Sequence, residues 1–531
     1  MSLANTPILS VITFLPLVGL ALVLLTPSGT SKRVIQWGSI AFSLIPLALS
    51  VVVWLGYDQT KGSFQFTELV PWFPQINSSY KVGVDGISLP LVVLNAFLTP
   101  LVMIISTTIE RSPKAFYALI FLFETSVFGV FISLDLIVFF LFYEVSLVPM
   151  YFLVNQWGGA NRRYASLKFF LYTLAAGLGM FLAIQVIGLA SKSYDITYLT
   201  STLGRPFTGA NTLRILGWAP SVAKAVAFLS FTIAFALKIP LWPLHTWLPD
   251  AHTEAPTGGS MLLAGIMLKL GGYGFFRLVI PLFPDVWAQN VLPTLVLTFG
   301  QLFAILALIS IVLGAFAAWG QTDFKKLVAY SSVNHMGFVA LGIAALAAGV
   351  APNATVKEID AQIAGNGAVL QMVTHGLSSA AMFALVGVVY ERAHTRDLTK
   401  YGGLWTIMPA YGAILIFCSM GSLGLPGLAG FVSEFMVTRG AWSVYTLYTV
   451  LSMAGLLVTG IYILKALQKV LHGPVGEAWL HHPLSDINVR EILGIAPLMG
   501  AMLVLGIYPG GRAKRDQRGC ARGIAQRREV R

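Results

Sequence analysis

About fourteen times along this chain a run of some twenty apolar residues is closed by a short polar break. A run of that length, wound as an α-helix, crosses the hydrocarbon core of a bilayer, roughly 30 Å thick. Inside that core the backbone must satisfy its own N–H and C=O groups, which confines the chain to packed helices. Composition agrees: 56% of the 531 residues are hydrophobic and 11% charged. With a mean hydropathy of +0.77, the chain falls outside the range of soluble domains of its size. The spans are read at about 8–26, 34–56, 86–107, 114–133, 135–154, 166–190, 221–240, 257–281, 290–318, 324–349, 362–391, 409–440, 442–471 and 490–508. The expected fold is an all-α polytopic membrane protein of about fourteen transmembrane helices.

The first span has neither a basic leader nor a small-residue cleavage site, so it is expected to be retained. Cys418 and Cys520 offer no metal-ligand spacing and no disulfide framework. The net charge of +12 sits in loops and in a basic tail, so no nucleic-acid partner is inferred. Loops after odd-numbered spans hold Lys32, Arg33, Arg111, Lys114, Arg162, Arg163, Lys325, Lys326, Arg392, Arg396 and Lys400. By the positive-inside bias that face is cytoplasmic, with both termini on the opposite side. Residues 57–85 read as a polar, aromatic loop outside the membrane and 191–220 as a second external loop. The tail at 511–531 has eight basic residues against two acidic and no apolar periodicity, and is assigned no function.

Charges buried in these spans are the informative exceptions. An ionisable side chain at mid-membrane costs roughly 2.5–3.5 kcal/mol on the insertion scale, so it normally faces the bundle interior or water. Lys238 lies in an apolar run that Pro240 and Pro243 should break beside it. A short polar turn with His245, Asp250, His252 and Glu254 follows. The next helix, from near Pro256, carries Lys269. A broken helix frees backbone groups at membrane depth, which is tolerated in protein or beside a cavity, and an intramembrane lysine next to it is the pattern of an ion path. Span four carries Glu124. Span five opens at Asp135, read as an interfacial cap, and carries Glu144 near mid-depth, for which Lys238 is the natural partner if spans five and seven are neighbours. Each of these charges also has a plainer reading, as a salt-bridged lysine or a hydrogen-bonded structural acid.

Span nine has Gln301 as its main polar interior residue, and span ten runs through Ser331, Ser332, Asn334 and His335. Span eleven holds His375 among small and hydroxyl residues that leave room for water. A membrane histidine is as readily a satisfied packing residue as a proton carrier, so His335 and His375 stand on both readings. In span twelve, glycines 421, 424, 427 and 430 with Pro426 should break the helix ahead of Glu434. The two interrupted spans lie five apart, which points to two repeats of five spans, inverted because five is odd. The expected division is 1–112 for helices 1–3, 113–283 and 284–475 for the two repeats, 476–510 for the last helix and 511–531 for the tail.

The stretch LKIPLWPLHTWLPDAHTEAPTGGSMLLAGIMLKLGGYG resembles the signature of the antiporter-like subunits of respiratory complex I. FYEVSLVPMYFL and GLPGLAGFVSEF resemble most closely the chain M, or subunit 4, family of NADH:quinone oxidoreductase, over roughly 5–510. The resemblance implies a proton-translocating subunit of the bacterial inner membrane. Glu144 and Lys238 would form the coupled pair, Lys269 the connecting lysine, His375 and His335 the bridging axis, and Glu434 the exit-side group. Glu124 is carried as a further proton-transfer candidate from its buried position in span four. The resemblance also implies partners: other membrane subunits of the complex, including sister chains L and N, and membrane lipids. FMN, iron–sulfur clusters and quinone would belong to those or other subunits, since this chain shows no strand–GxGxxG–helix unit and no cysteine cluster. The alternative is a subunit of a multisubunit cation/proton antiporter, whose members usually carry lysine where Glu434 stands. A self-contained solute transporter would need a midplane solute site, and this chain offers a line of titratable groups.

Overall fold

The computed structural model describes residues 6–201, 219–292, 296–351, 356–476, 479 and 484–509. The tail at 511–531 and much of the 191–220 loop lie outside the described residues. In chain order the principal helices are α1 (Ile8–Leu25), α2 (Lys32–Gly56), α3 (Ser88–Thr108), α4 (Pro113–Ile132), α5 (Leu136–Trp157), α6 (Arg162–Ser191) and α7 (Pro220–Lys238). Then come α8 (Trp247–Glu254), α9 (Thr257–Leu282), α10 (Phe299–Trp319), α11 (Phe324–Val350) and α12 (Glu358–Ala393). The last are α13 (Pro409–Leu423), α14 (Ala429–Ala441), α15 (Thr446–Leu471) and α16 (Val489–Ile507). Among the described residues, thirteen helices are long and apolar enough to cross a membrane. The remaining expected span, the twelfth, is the interrupted pair α13 and α14.

Burial separates centre from rim. The apolar windows of α9 and α12 are 100% and 94% buried, against 33% for α6. A helix apolar on all sides belongs in a core or against lipid, and here both occur. On α6, Leu167, Leu171, Leu178 and Leu182 point outward.

Three local expectations are corrected. The 57–85 segment is more than a loop: β1 (Gln65–Phe73) and β2 (Ser78–Val84) pair antiparallel. Val82 and Val84 are buried on the bundle side, and the Lys81 carbonyl accepts the Leu134 amide at 2.8 Å. Packing against the α4–α5 corner thus stabilises a hairpin that would be marginal alone. The polar turn before α9 contains α8, because Trp247, Leu248 and Ala251 form a buried face at helical spacing. Gln301 is a cap and not an interior group: it closes a capping box with Thr298 at the start of α10, with bonds of 2.9 and 3.2 Å. Asp135 caps α5 as expected, accepting the Ile137 and Val138 amides.

Two corners of the chain share one design. Before α5, Asp135 bridges to Asp195, with Leu136 N donating to Tyr194 O at 2.9 Å and Ile196 N to Leu134 O at 2.8 Å. Before α11, Asp323 bridges to Asp397, with Phe324 N donating to Arg396 O and Leu398 N to Thr322 O, both at 2.8 Å. Asp195 accepts the hydroxyl and amide of Thr197, and Asp397 those of Thr399. Five spans separate α5 from α11.

Candidate functional site: a buried line of titratable side chains

α7 stops at Lys238 because Pro240 cannot donate to the helix ladder. The freed groups find partners: Trp247 Nε1 donates to Leu237 O at 3.0 Å, and Trp242 N to Ser310 Oγ at 2.8 Å. Lys238 is 1% exposed, and its Nζ lies 4.5 Å from the Tyr143 ring centroid, a cation–π contact. Tyr143 also donates to Ala234 O at 3.3 Å, so α5 and α7 are neighbours as anticipated. Glu144, next along α5, turns onto α6, where a Cβ at Gly177 would stand 1.9 Å from Oε1. Only glycine leaves that seat for the carboxylate. Neither Glu144 oxygen nor Lys238 Nζ has a protein hydrogen-bond partner. The pair is thus brought into one neighbourhood without direct contact, and buried polar atoms of this kind are normally satisfied by water.

α9 crosses the end of α7 at Gly271, where a Cβ would meet Phe235 O at 2.6 Å and Lys238 Cβ at 2.9 Å. Lys269, two residues earlier, is fully buried between two π-helical turns, Leu263–Met267 and Phe275–Val279. Such turns widen a helix, often at functional positions. Nζ of Lys269 donates to Ala264 O and lies 2.8 Å from His375 Nδ1. With the lysine protonated, Nδ1 is the acceptor, which leaves the His375 proton on Nε2, a buried atom with no protein hydrogen-bond partner.

The His375 and His335 rings are 5.7 Å apart. His335 Nδ1 donates to Glu434 Oε1 at 2.8 Å, and His335 Nε2 lies 3.4 Å from Ser422 Oγ. Glu434 is held just past the break between α13 and α14, where Gly424 and Gly427 take positive φ of 80° and 94°. Gln371 Nε2 also donates to Glu434 Oε1, at 3.0 Å. Its Oε1 accepts Ser433 Oγ and, at 3.2 Å, Thr374 Oγ1, which fixes the amide with its NH2 toward the carboxylate. These three residues were not singled out from sequence. Gln371 lies four residues before His375, on the same face of α12, which is the signal that could have found it.

Glu124 is set apart. It is fully buried on α4, its carboxylate has no protein hydrogen-bond partner, and only its backbone carbonyl is tied down, by Asn95 Nδ2 at 3.1 Å. His252 on α8 was not advanced as a candidate, yet both ring nitrogens are buried without a partner while the ring stacks on Phe383 at 4.6 Å. Beside α8 opens a cavity of about 250 Å³, lined by Thr253, Glu254, Lys325, Glu391 and Arg396 among others. It sits at the face where the basic loops gather.

The chain resembles known proteins over most of its length. The family described as "NADH:quinone oxidoreductase/Mrp antiporter, TM" matches residues 133–461. The chain is 38% identical to NADH-quinone oxidoreductase subunit M of Rhodobacter capsulatus over 507 residues, covering 94% of this chain and 93% of the relative. It is 37% identical to an NAD(P)H-quinone oxidoreductase chain 4 of Trichormus variabilis over 519 residues, covering 96% and 90%. Its fold matches a chain of respiratory complex I from Thermus thermophilus with a TM-score of 0.81 at 27% identity, covering 98% of this chain and 99% of that one. A chain of the Mrp complex from Dietzia sp. shares the fold with a TM-score of 0.76 at 22% identity, covering 97% of this chain and 51% of that one. The chain therefore belongs to the family of membrane subunits shared by NADH:quinone oxidoreductases and Mrp antiporters.

Proposed function

We propose that this chain is the proton-translocating subunit M, or 4, of NADH:quinone oxidoreductase, and that protons cross it along Glu144, Lys238, Lys269, His375, His335 and Glu434. The observation that carries the reading is the contact series that runs from Lys269, late in the first half, into the second half. Lys269 meets His375 at 2.8 Å, the two imidazole centroids lie 5.7 Å apart, and His335 meets Glu434 at 2.8 Å. A lysine, two imidazoles and a carboxylate in series form a relay if water fills the remaining steps. The cavity bounded by Glu254 and Lys325 supports uptake from the cytoplasmic face.

The energies are of matching size. Withdrawing one partner from a buried charge pair costs about 3–5 kcal/mol. Moving one charge across about 150–200 mV takes roughly 3.5–4.6 kcal/mol. Separating Glu144 from Lys238 is therefore enough to drive one proton onward, which a surface salt bridge could not do. Electron transfer belongs to partner subunits, which hold FMN, iron–sulfur clusters and the quinone. Sister chains L and N and membrane lipids cover the outward apolar faces. Glu124, apart from the line, serves as a side acceptor within the first half.

The matched Asp135–Asp195 and Asp323–Asp397 corners support the repeat boundaries, 113–283 against 284–475. The basic loops support an inner-membrane protein with both termini on the periplasmic side. The test is Lys238→Met in the assembled complex, reading NADH-driven proton uptake. Pumping should fall by at least about tenfold. Full pumping would refute the relay.

A further inference from the structure

Polar groups follow Lys269 in two directions. One leads across to His375. The other runs along α9 itself toward the face opposite the cytoplasm, where Tyr273 and Arg277 follow at one and two turns. Arg277 is a buried side chain that the relay does not use. Its Nη2 donates to Asp85 Oδ1 at 2.6 Å, its Nε donates to the Tyr273 hydroxyl at 2.9 Å, and its guanidinium lies 4.7 Å from the Phe64 ring centroid. The Tyr273 hydroxyl in turn donates to Phe131 O at 2.8 Å.

The direction of these bonds matters. To pass a proton outward, the Tyr273 hydroxyl would have to accept from the Lys269 side and donate outward. Instead it accepts from Arg277, on the outward side, and its own proton is tied to a backbone carbonyl. The group beyond it is a guanidinium, which has no acceptor and does not deprotonate in proteins. Asp85, also bonded by the Ile87 and Ser88 amides, holds that guanidinium in place. A fixed cation beyond Tyr273 repels an arriving proton, as positive barriers do in pores that exclude protons.

We propose that the Arg277–Asp85–Tyr273 cluster is a proton barrier that closes the outer end of the first half, so that a proton on Lys269 can leave only through His375. Arg277 is thus a positioning residue that sets the direction of transport. The inference rests on the relay reading above.

The test uses the intact complex in phosphatidylethanolamine–phosphatidylglycerol vesicles. Passive proton leak is read from a trapped pH dye without NADH, and the proton-to-electron ratio with it. Arg277→Gln paired with Asp85→Asn removes the charge and leaves no orphan carboxylate. Leak should rise by about tenfold or more while NADH oxidation continues and the ratio falls. Arg277→Lys keeps the charge and should stay tight. Arg277→His supplies a titratable barrier, so its leak should grow as pH rises through roughly 6.5, where histidine loses its charge. Wild-type leak in the double variant overturns the barrier, and so does a pH-independent leak in Arg277→His. If the double variant does not assemble, the histidine variant decides alone. Failure of the relay itself would show separately, as full pumping in Lys238→Met.

Discussion

Two carboxylates on the buried line, Glu144 in the first half and Glu434 in the second, are held in opposite ways. In the second half, Glu434 is held by His335 and Gln371, and Gln371 is itself held by Ser433 and Thr374. In the first half, the Glu144 and Glu124 carboxylates, Lys238 Nζ and both nitrogens of His252 have no protein hydrogen-bond partner, while Lys269 and Arg277 are bonded. A satisfied carboxylate is fixed in place. An unsatisfied one needs water, and its position answers to small changes around it. The contrast suits a division of labour, with a first half whose charges can shift and a second half whose geometry holds. Broken helices at Lys238 and ahead of Glu434 open both halves to polar groups, so the difference lies in the surrounding shell.

The sharpest way to break this comparison is at Gly177. Gly177→Val puts a branched side chain where the Glu144 carboxylate sits, removing no titratable group. Pumping should fall by about a hundredfold, the effect of misplacing a reacting group by an ångström or so. Proton uptake by the assembled complex measures it, and an unchanged rate would mean that the seat is incidental.

Next is Gln371→Leu in the second half. It deletes one of two hydrogen bonds to Glu434, worth about 1.5–3 kcal/mol to a charged group. Pumping should slow by about ten- to a hundredfold. If the second half is the more rigid, a structure of the variant should show Glu434 still against His335.

Tyr143→Leu is gentler. It removes the ring under Lys238 Nζ, a contact worth about 0.5–2 kcal/mol, and should slow pumping several-fold. Tyr143→Phe keeps the ring and should restore most of the rate.

The smallest effect concerns the matched corners. Lys81 Nζ donates to Asp195 at 2.6 Å, while at the second corner the ion pair joins Arg396 to Asp323 at 3.3 Å. Burial pushes the Asp195 carboxyl upward, but the hydrogen bonds and charge of Lys81 and the bonds from Thr197 outweigh it, and its pKa is lowered. A lowered folded pKa contributes stability above the unfolded value of about 3.9 and loses it as pH falls through the folded value. Asp195→Asn should therefore lower the unfolding temperature at pH 7, and the difference from wild type should close below about pH 4. Asp397, held low mainly by the Thr399 amide and hydroxyl at an exposed corner, should show a weaker version. Thermal melts of the purified complex across pH compare the two.

Much of the fold could be read from residues alone. The spans follow from local hydrophobicity, because the bilayer sets the same length on every helix. Both breaks follow from Pro240 and Pro243 and from the Gly424–Pro426–Gly427 cluster, since proline and glycine act on the backbone where they stand. The candidate charges were legible because a mid-membrane lysine or glutamate is rare. The hairpin and α8 were not, because buried valines and tryptophan act through neighbours far away in sequence. Gln301 was misplaced because a capping box depends on where the helix begins.

By itself, then, the sequence determined a helical membrane bundle with two broken spans and a short set of buried ionisable residues, as each follows from the local cost of polarity in hydrocarbon. Only tertiary structure decided which of those residues meet. It set Lys269 on His375 and His335 on Glu434, kept Lys238 and Glu144 apart, seated a carboxylate on Gly177, and stood Arg277 against Asp85 at the outer end of α9. Contacts of that kind depend on which helices lie side by side and at what depth they cross, and no local pattern encodes those distances.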